Sequence, residues 1–224
     1  WVLNGSRTES GHPLLANDPH LAFGSPGPFY FVRLALADGD RVGAVLPGEP
    51  FVVIGHNSKL AWTNTTNQID AEDILLAPAG GFSQVSERTE IIKVRDKVFF
   101  EREEKIKVRS TEQGPILDPK WFDIAGYGSN EVVLRSSTLN PKNGIIDAIY
   151  QMGKSGDVKN FIAAAKPWTA PMTNVLVATL TGDIGLLSTG ELPLRNQQGQ
   201  WVSTIPWEDQ PNFINPKSKS TKEN

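Results

Sequence analysis

Residues 173–189 read TNVLVATLTGDIGLLST. The run is apolar on both sides of Gly182-Asp183, which predicts a buried β-hairpin closed by a tight turn. Working outward toward the N-terminus, two helical patterns precede it. Ile145, Ala148, Ile149 and Met152 keep an i, i+3, i+4, i+7 spacing, and Val158, Phe161, Ile162 and Ala165 repeat it. Ser155 is read as the N-cap of the second helix and Pro167 as its stop. The order of strands, two helices, then strands is that of an α+β protein rather than a βαβ repeat.

The first half of the chain reads as β structure. Apolar runs at Leu14–Ala16 and Phe29–Leu36 are bounded by Gly and Pro. Between residues 41 and 65 the sequence predicts strands at Val42–Leu46, Phe51–Ile54 and Leu60–Thr63, separated by PGEP and GHNS turns. Pro47 and Pro50 belong to the first turn, since neither fits inside a central strand. Over residues 88–109, Ile92, Val94, Val98, Phe100, Ile106 and Val108 alternate with Lys, Arg and Glu. Period two with a charged face predicts a half-solvated antiparallel ribbon, turning at Asp96-Lys97. The tail NPKSKSTKEN is polar, and residues 217–224 are expected to be disordered beyond one domain over 1–216.

Composition narrows the function classes. With 224 residues the chain can bury one sizeable core. A net charge of −3 gives no reason to expect nucleic acid as partner. Cysteine is absent, which rules out disulfides, thiolate metal sites and a cysteine nucleophile. No apolar run approaches the roughly 18 residues of a membrane span. The sequence also lacks a glycine-rich phosphate loop, HExxH and GxSxG. It begins at Trp1, without an initiator Met or a signal peptide, so it is expected to be a processed product or a piece of a longer chain.

Ordered words carry more. LLANDPHL at 14–21 ends an apolar run in an amide, a carboxylate, a proline and one of only three histidines. It sits within WVLNGSRTESGHPLLANDPHLAF, followed by LPGEPFVVIGHNSKLAWTNTTNQIDAEDIL. These words resemble the start of the β-chain of the penicillin acylase (penicillin amidase) family, amidohydrolases of the N-terminal nucleophile (Ntn) superfamily. The likeness is strong over residues 1–76 and looser beyond, through TEQGPIL, TGDIG and INP.

The resemblance implies an Ntn-hydrolase-type four-layer αββα sandwich, mostly antiparallel and partial here. It implies an N-terminal Ser whose hydroxyl attacks a linear amide and whose own α-amine serves as base. That Ser is expected about three residues before Trp1, so this chain by itself is expected to be inactive. Zymogen-like autocatalytic cleavage, an α-chain partner from the same precursor, a small N-acyl amide substrate and a periplasmic or secreted location follow from the same likeness.

Residue by residue, His20 falls where the family has a Gln or His beside the nucleophile, and Thr66 where a backbone N–H enters the oxyanion hole. Leu21, Ile54, Asn64 and Thr173 match positions lining the acyl pocket, although plain core packing explains Leu21 and Ile54 equally well. Asp70, the main chain of Glu72, and Asp73 match Ca²⁺ ligands, with a solvated acidic turn as the other reading. His56 reads as a structural turn residue, and Gln113 stands where the family often has a His. After Asn215-Pro216 the sequence departs from the pattern that would supply the second oxyanion Asn. Two rival functions stay open: a non-catalytic, Ca²⁺-tied binding scaffold, and an acylase for acyl-homoserine lactones. The fragment alone is expected to expose apolar edges and self-associate.

Overall fold

A computed structural model describes residues 1–21, 24–49, 51–97 and 100–206. Asn215-Pro216 and the expected disordered tail lie outside the described residues. Contacts group the chain into two compact units, one of Trp1–Asp70 with the chain from Asn140 on, the other of Ala71–Leu139.

The first unit opens with two short paired strands, β1 (Val2–Leu3) and β2 (Leu14–Leu15). Its main sheet contains β3 (Tyr30–Leu34), β4 (Arg41–Val45), β5 (Ile54–His56) and β6 (Leu60–Thr66). The second unit contains β7 (Glu72–Leu76), β8 (Ser86–Lys97), β9 (Phe100–Thr111), β10 (Gly114–Pro115) and β11 (Val132–Ser136). The first unit then resumes with helices α1 (Ile145–Lys154) and α2 (Val158–Ala165). Strands β12 (Thr173–Thr179), β13 (Ile184–Thr189), β14 (Glu191–Arg195) and β15 (Trp201–Pro206) complete it.

Six strands form one antiparallel sheet in the order β13-β12-β6-β5-β4-β3. The hairpin expected at 173–189 is its β12–β13 edge, and β12 pairs on its other side with β6, which is 107 or more residues earlier in the chain. Alternation then divides the side chains between two faces. Leu60, Trp62, Val175 and Val177 point to one face and join Ile149, Met152, Phe161 and Ala165 of the helices in the core. Phe161 is wholly buried, its ring 6.3 Å from that of Trp62. The other face carries Ala61 and Ala178, which line a cleft with Leu14 and Leu15 of β2. A mostly antiparallel sheet with two helices on one face, and the short β1–β2 pair on the other, matches the expected α+β class.

The word IGHN acquires physical reasons here. Gly55 lies opposite Gly43 on β4, and a Cβ on Gly55 would stand 2.1 Å from the Val42 carbonyl oxygen. Asn57 uses all its hydrogen-bonding reach: Nδ2 donates to the Gly153 and Ser155 carbonyls at 3.0 and 2.9 Å, and Oδ1 accepts from the Lys59 and Leu60 amides. The last carbonyls of a helix have no partner within it, so this side chain caps α1 onto the sheet. Arg41, only 5% exposed, donates to the same Gly153 carbonyl at 3.0 Å and forms a two-bond pair with Asp38. His56, read from the sequence as a turn residue, is the exposed last residue of β5.

Several boundaries differ from the sequence reading. Ser155 is the C-cap of α1; the N-cap of α2 is Asp157, whose carboxylate accepts from the Asn160 amide at 2.8 Å. Both residues are good caps, and the one three positions before a free amide of the first turn captures it. The strand expected at Phe51–Ile54 is displaced to Ile54–His56, because the paired glycines are where β4 and β5 approach. In the second unit, Asp96 and Lys97 belong to β8, and the link to β9 at residues 98 and 99 lies outside the described residues. The β8–β9 ribbon itself matches expectation, with Glu87, Lys93, Glu103, Lys105 and Lys107 on its charged face.

Asn57→Ala leaves two helix-end carbonyls and two amides without this partner, and is expected to lower unfolding free energy by about 2–4 kcal/mol in urea melts. Hydrogen bonding to Arg41 holds the Asp38 carboxyl below its ordinary value of 3.8. A depressed folded value means stability present above the unfolded value and lost as pH falls through the folded one. Asp38→Asn is therefore expected to flatten the pH dependence of stability below about pH 4, which acid titration of the melting temperature measures.

Candidate active site

The site residues proposed for the first unit gather unevenly. Thr66 and Thr173 face each other across the β6–β12 ladder, and Asn64 faces Val175 two pairs further along. Asn64 donates through Nδ2 to the Val53 carbonyl at 3.1 Å, beside Ile54. The Thr173 hydroxyl is turned into its own loop, donating to the Pro171 carbonyl at 3.1 Å. Thr66, Asn64, Ile54 and Thr173 thus share one end of the sheet.

The ladder fixes where the Thr66 amide points. In an antiparallel pair, positions alternate between those that bond across and those that do not. The Asn67 amide donates to the Met172 carbonyl at 3.1 Å, so 67 and 172 form a bonded position. Thr66 with Thr173 is then a non-bonded position, and the Thr66 N–H and C=O face away from β12, toward the β5 side. There, β5 pairs with β6 at Trp62 and Ala61, short of Thr66. Thr66 is an exposed residue.

LLANDPHL reaches this same edge. The Asn64 carbonyl also faces the β5 side, and Asn17 donates to it through Nδ2 at 3.0 Å. Trp1 and Ala16 exchange two backbone bonds, of 2.9 and 3.0 Å, which holds the first residue of the chain beside the start of ANDPH. Sequence reading noted Asn17 within the cluster but gave it no role. His20 and Leu21 stand away from protein cover: the His20 side chain is 89% exposed, with Nε2 3.7 Å from the Asp18 carboxylate, and Leu21 is 51% exposed. The cleft lined by His12, Leu14, Leu15, His56, Ala61 and Ala178 lies toward the Leu60–Thr179 end of the β6–β12 pair, opposite to Thr66.

The acidic residues of NQIDAEDIL have other engagements. In the first unit Arg195 donates to Asp70 at 3.2 Å. In the second, the segment is a strand rather than a loop: Glu72 accepts from the Ser136 hydroxyl at 2.8 Å, and Asp73 lies in register with Arg135. Among the described residues no group of three or more His, Cys, Asp or Glu is arranged to hold a metal ion. Ca²⁺ takes six to eight oxygens, more than these three residues supply, so an ion held on them would need ligands from elsewhere. Gln113 sits in the β9–β10 turn, its amide donating to the Thr111 hydroxyl at 3.1 Å.

A chain of side-chain bonds at the Thr66 end went unread in the sequence. Asn174 donates to Asn67 Oδ1 at 3.3 Å and accepts from the Ser188 hydroxyl at 2.6 Å. The available signal was an amide side chain inside the otherwise apolar strand TNVLVAT.

A family model described as penicillin amidase matches residues 1–221. The penicillin acylase 2 proenzyme of Pseudomonas sp. (strain SE83) is 25% identical over 218 residues, covering 92% of this chain and 27% of that protein. Acyl-homoserine lactone acylase QuiP of Pseudomonas fluorescens (strain Pf0-1) is 26% identical over 216 residues, covering 93% and 26%. The solved structure of a thermostable penicillin G acylase from Alcaligenes faecalis superposes with a TM-score of 0.72 at 23% identity, covering 89% of this chain and 36% of that one. The chain therefore spans about a quarter of the length of these curated relatives.

Asn17→Ala removes the bond to the Asn64 carbonyl and is expected to cost about 1 kcal/mol of stability. Asn17→Asp, which cannot donate, is expected to cost as much. Denaturant midpoints of the two variants measure both.

Proposed function

The chain belongs to the penicillin amidase family, and from that premise we propose that it frames the active site of an amidohydrolase cleaving linear N-acyl amides. The observation that carries the reading is the Thr66 N–H, turned out of the β6–β12 ladder at the edge where Asn17 ties ANDPH to β6. Such an amide is a preorganised donor for a developing oxyanion, and it costs no reorganisation during reaction. Its Thr side chain is immaterial to that task.

The register of β1 against β2 supports a nucleophile nearby. Val2 pairs with Leu15 and Trp1 with Ala16, so residues preceding Trp1, if they continue the strand, run beside Asn17, Asp18 and Pro19. Three residues of strand span about 10 Å. An N-terminal Ser in that position attacks the amide carbonyl; its α-amine, with an ordinary pKa near 8, takes the hydroxyl proton and passes it to the leaving amine. The Thr66 N–H stabilises the oxyanion, and water then releases the acyl-enzyme. His20 is assigned to hold the N-terminal amine by hydrogen bonding, and Leu21, Ile54, Asn64 and Thr173 to border the acyl group.

The two kinds of relative, named penicillin acylase and acyl-homoserine lactone acylase, match at 25% and 26% identity and leave both acyl classes in the proposal. Their greater length supports a partner chain from a common precursor. Export to the periplasm or medium, and a Ca²⁺ ion on Asp70, the Glu72 main chain and Asp73 completed by ligands from elsewhere, belong to the same proposal and rest on the family resemblance.

In the full-length processed protein, Thr66→Pro deletes the N–H without touching the ladder and is expected to lower kcat by about 100- to 1000-fold. Thr66→Val keeps the N–H and is expected to retain activity within about threefold. Full activity of Thr66→Pro overturns the oxyanion assignment. A panel of phenylacetyl, glutaryl and long-chain acyl-homoserine lactone amides tests the class; cleavage of none overturns the enzymatic reading in favour of a binding scaffold.

A further inference from the structure

We infer that Asn174 is a positioning residue that fixes the strand end carrying the Thr66 amide, acting through Asn67. The inference deepens the amidohydrolase reading and rests on it.

Beyond Asn67 the backbone leaves the extended conformation abruptly: Gln68 has φ 51°, the one left-handed non-glycine among the described residues. A strand that ends in such a kink is prone to fray, and a frayed end would let the Thr66 N–H swing. The ladder alone offers two anchors there. Thr65 sits at a bonded position opposite Asn174, and the Asn67 amide donates to Met172. Neither fixes the Asn67 side chain.

The side-chain bonds supply that restraint. Asn174 and Ser188 are in register across β12–β13, and Thr65 and Asn174 across β12–β6. The Ser188 hydroxyl, the Asn174 amide and the Asn67 amide therefore form a line over three strands, with bonds of 2.6 and 3.3 Å. Asn67 is held at the start of β12 twice, by its backbone at Met172 and by its side chain at Asn174, and Asn174 is held in turn by Ser188 of β13. An amide in an apolar strand is costly to bury unless bonded at both ends, and Asn174 is bonded at both. The polar line stabilises a geometry rather than the core, since the core lies on the opposite face, among Val175, Val177 and Trp62.

The test is a double-substitution cycle in the full-length processed protein, using whichever N-acyl amide it cleaves best. Asn174→Leu keeps the branched shape at slightly larger volume and removes both bonds; Asn67→Ala removes the same link from the other side. Each is expected to lower kcat by about tenfold with KM within about threefold, because a misplaced donor weakens the transition state more than the ground state. If Asn174 acts through Asn67, the double variant falls no further than either single one. Ser188→Ala, a milder change, is expected to lose about threefold in kcat with KM unaltered. It decides the matter by itself if Asn174→Leu does not fold. Unaltered kcat, losses that multiply in the double variant, or kcat and KM drifting together with melting temperature overturn the positioning role. A wild type that cleaves no amide overturns the amidohydrolase reading, and this inference with it; an active wild type with indifferent variants overturns this inference alone.

Discussion

The first unit depends on one pairing, that of β6 with β12. The two strands are more than a hundred residues apart in the chain and run antiparallel over seven pairs, from Leu60↔Thr179 to Thr66↔Thr173. That register does three things at once. It aligns Leu60, Trp62, Val175 and Val177 on the helix face, where apolar burial supplies the main stabilisation. It brings Asn174 beside Asn67. And by its alternation of bonded and non-bonded positions it turns the Thr66 N–H outward. A slip of one residue would invert all three, exchanging the faces and committing the Thr66 amide to the ladder.

Around that pairing, a few polar side chains carry structural duties that apolar packing cannot. Asn57 and Arg41 converge on the Gly153 carbonyl and seat the end of α1 against the sheet. Asn17 binds ANDPH to β6, and Asn4 donates to the Gly182 carbonyl at the β12–β13 turn. These are side-chain to backbone bonds over long sequence separations. Each satisfies a carbonyl that its own element leaves open, which is why asparagine, with a donor and an acceptor on one short stem, recurs in them.

Periodicity made the elements legible. The two helices and the 173–189 hairpin stand where their spacing put them, because amphipathic period and tight-turn residues are local properties. Local signals also misled. Ser155 and Asp157 are both competent caps two residues apart, and the choice depends on how α1 ends against Asn57. The sequence reading placed no strand at Glu72–Leu76, yet the structure has one there, held by β11 at Val132–Ser136, a partner that no local signal in the chain announced.

What the sequence by itself determined is the class of protein: antiparallel strands and two helices from their periods, and membership of a family from ordered words such as LLANDPHL and IGHN. It also named Thr66 and the residues around it. Only the tertiary structure decided how those residues can act. Asn17 meets Asn64 across 47 residues, Asn174 meets Asn67 across 107, and Arg195 takes Asp70 across 125. Contacts of that separation leave no periodic trace in the chain, and the direction of a single N–H depends on a register that two distant strands settle together.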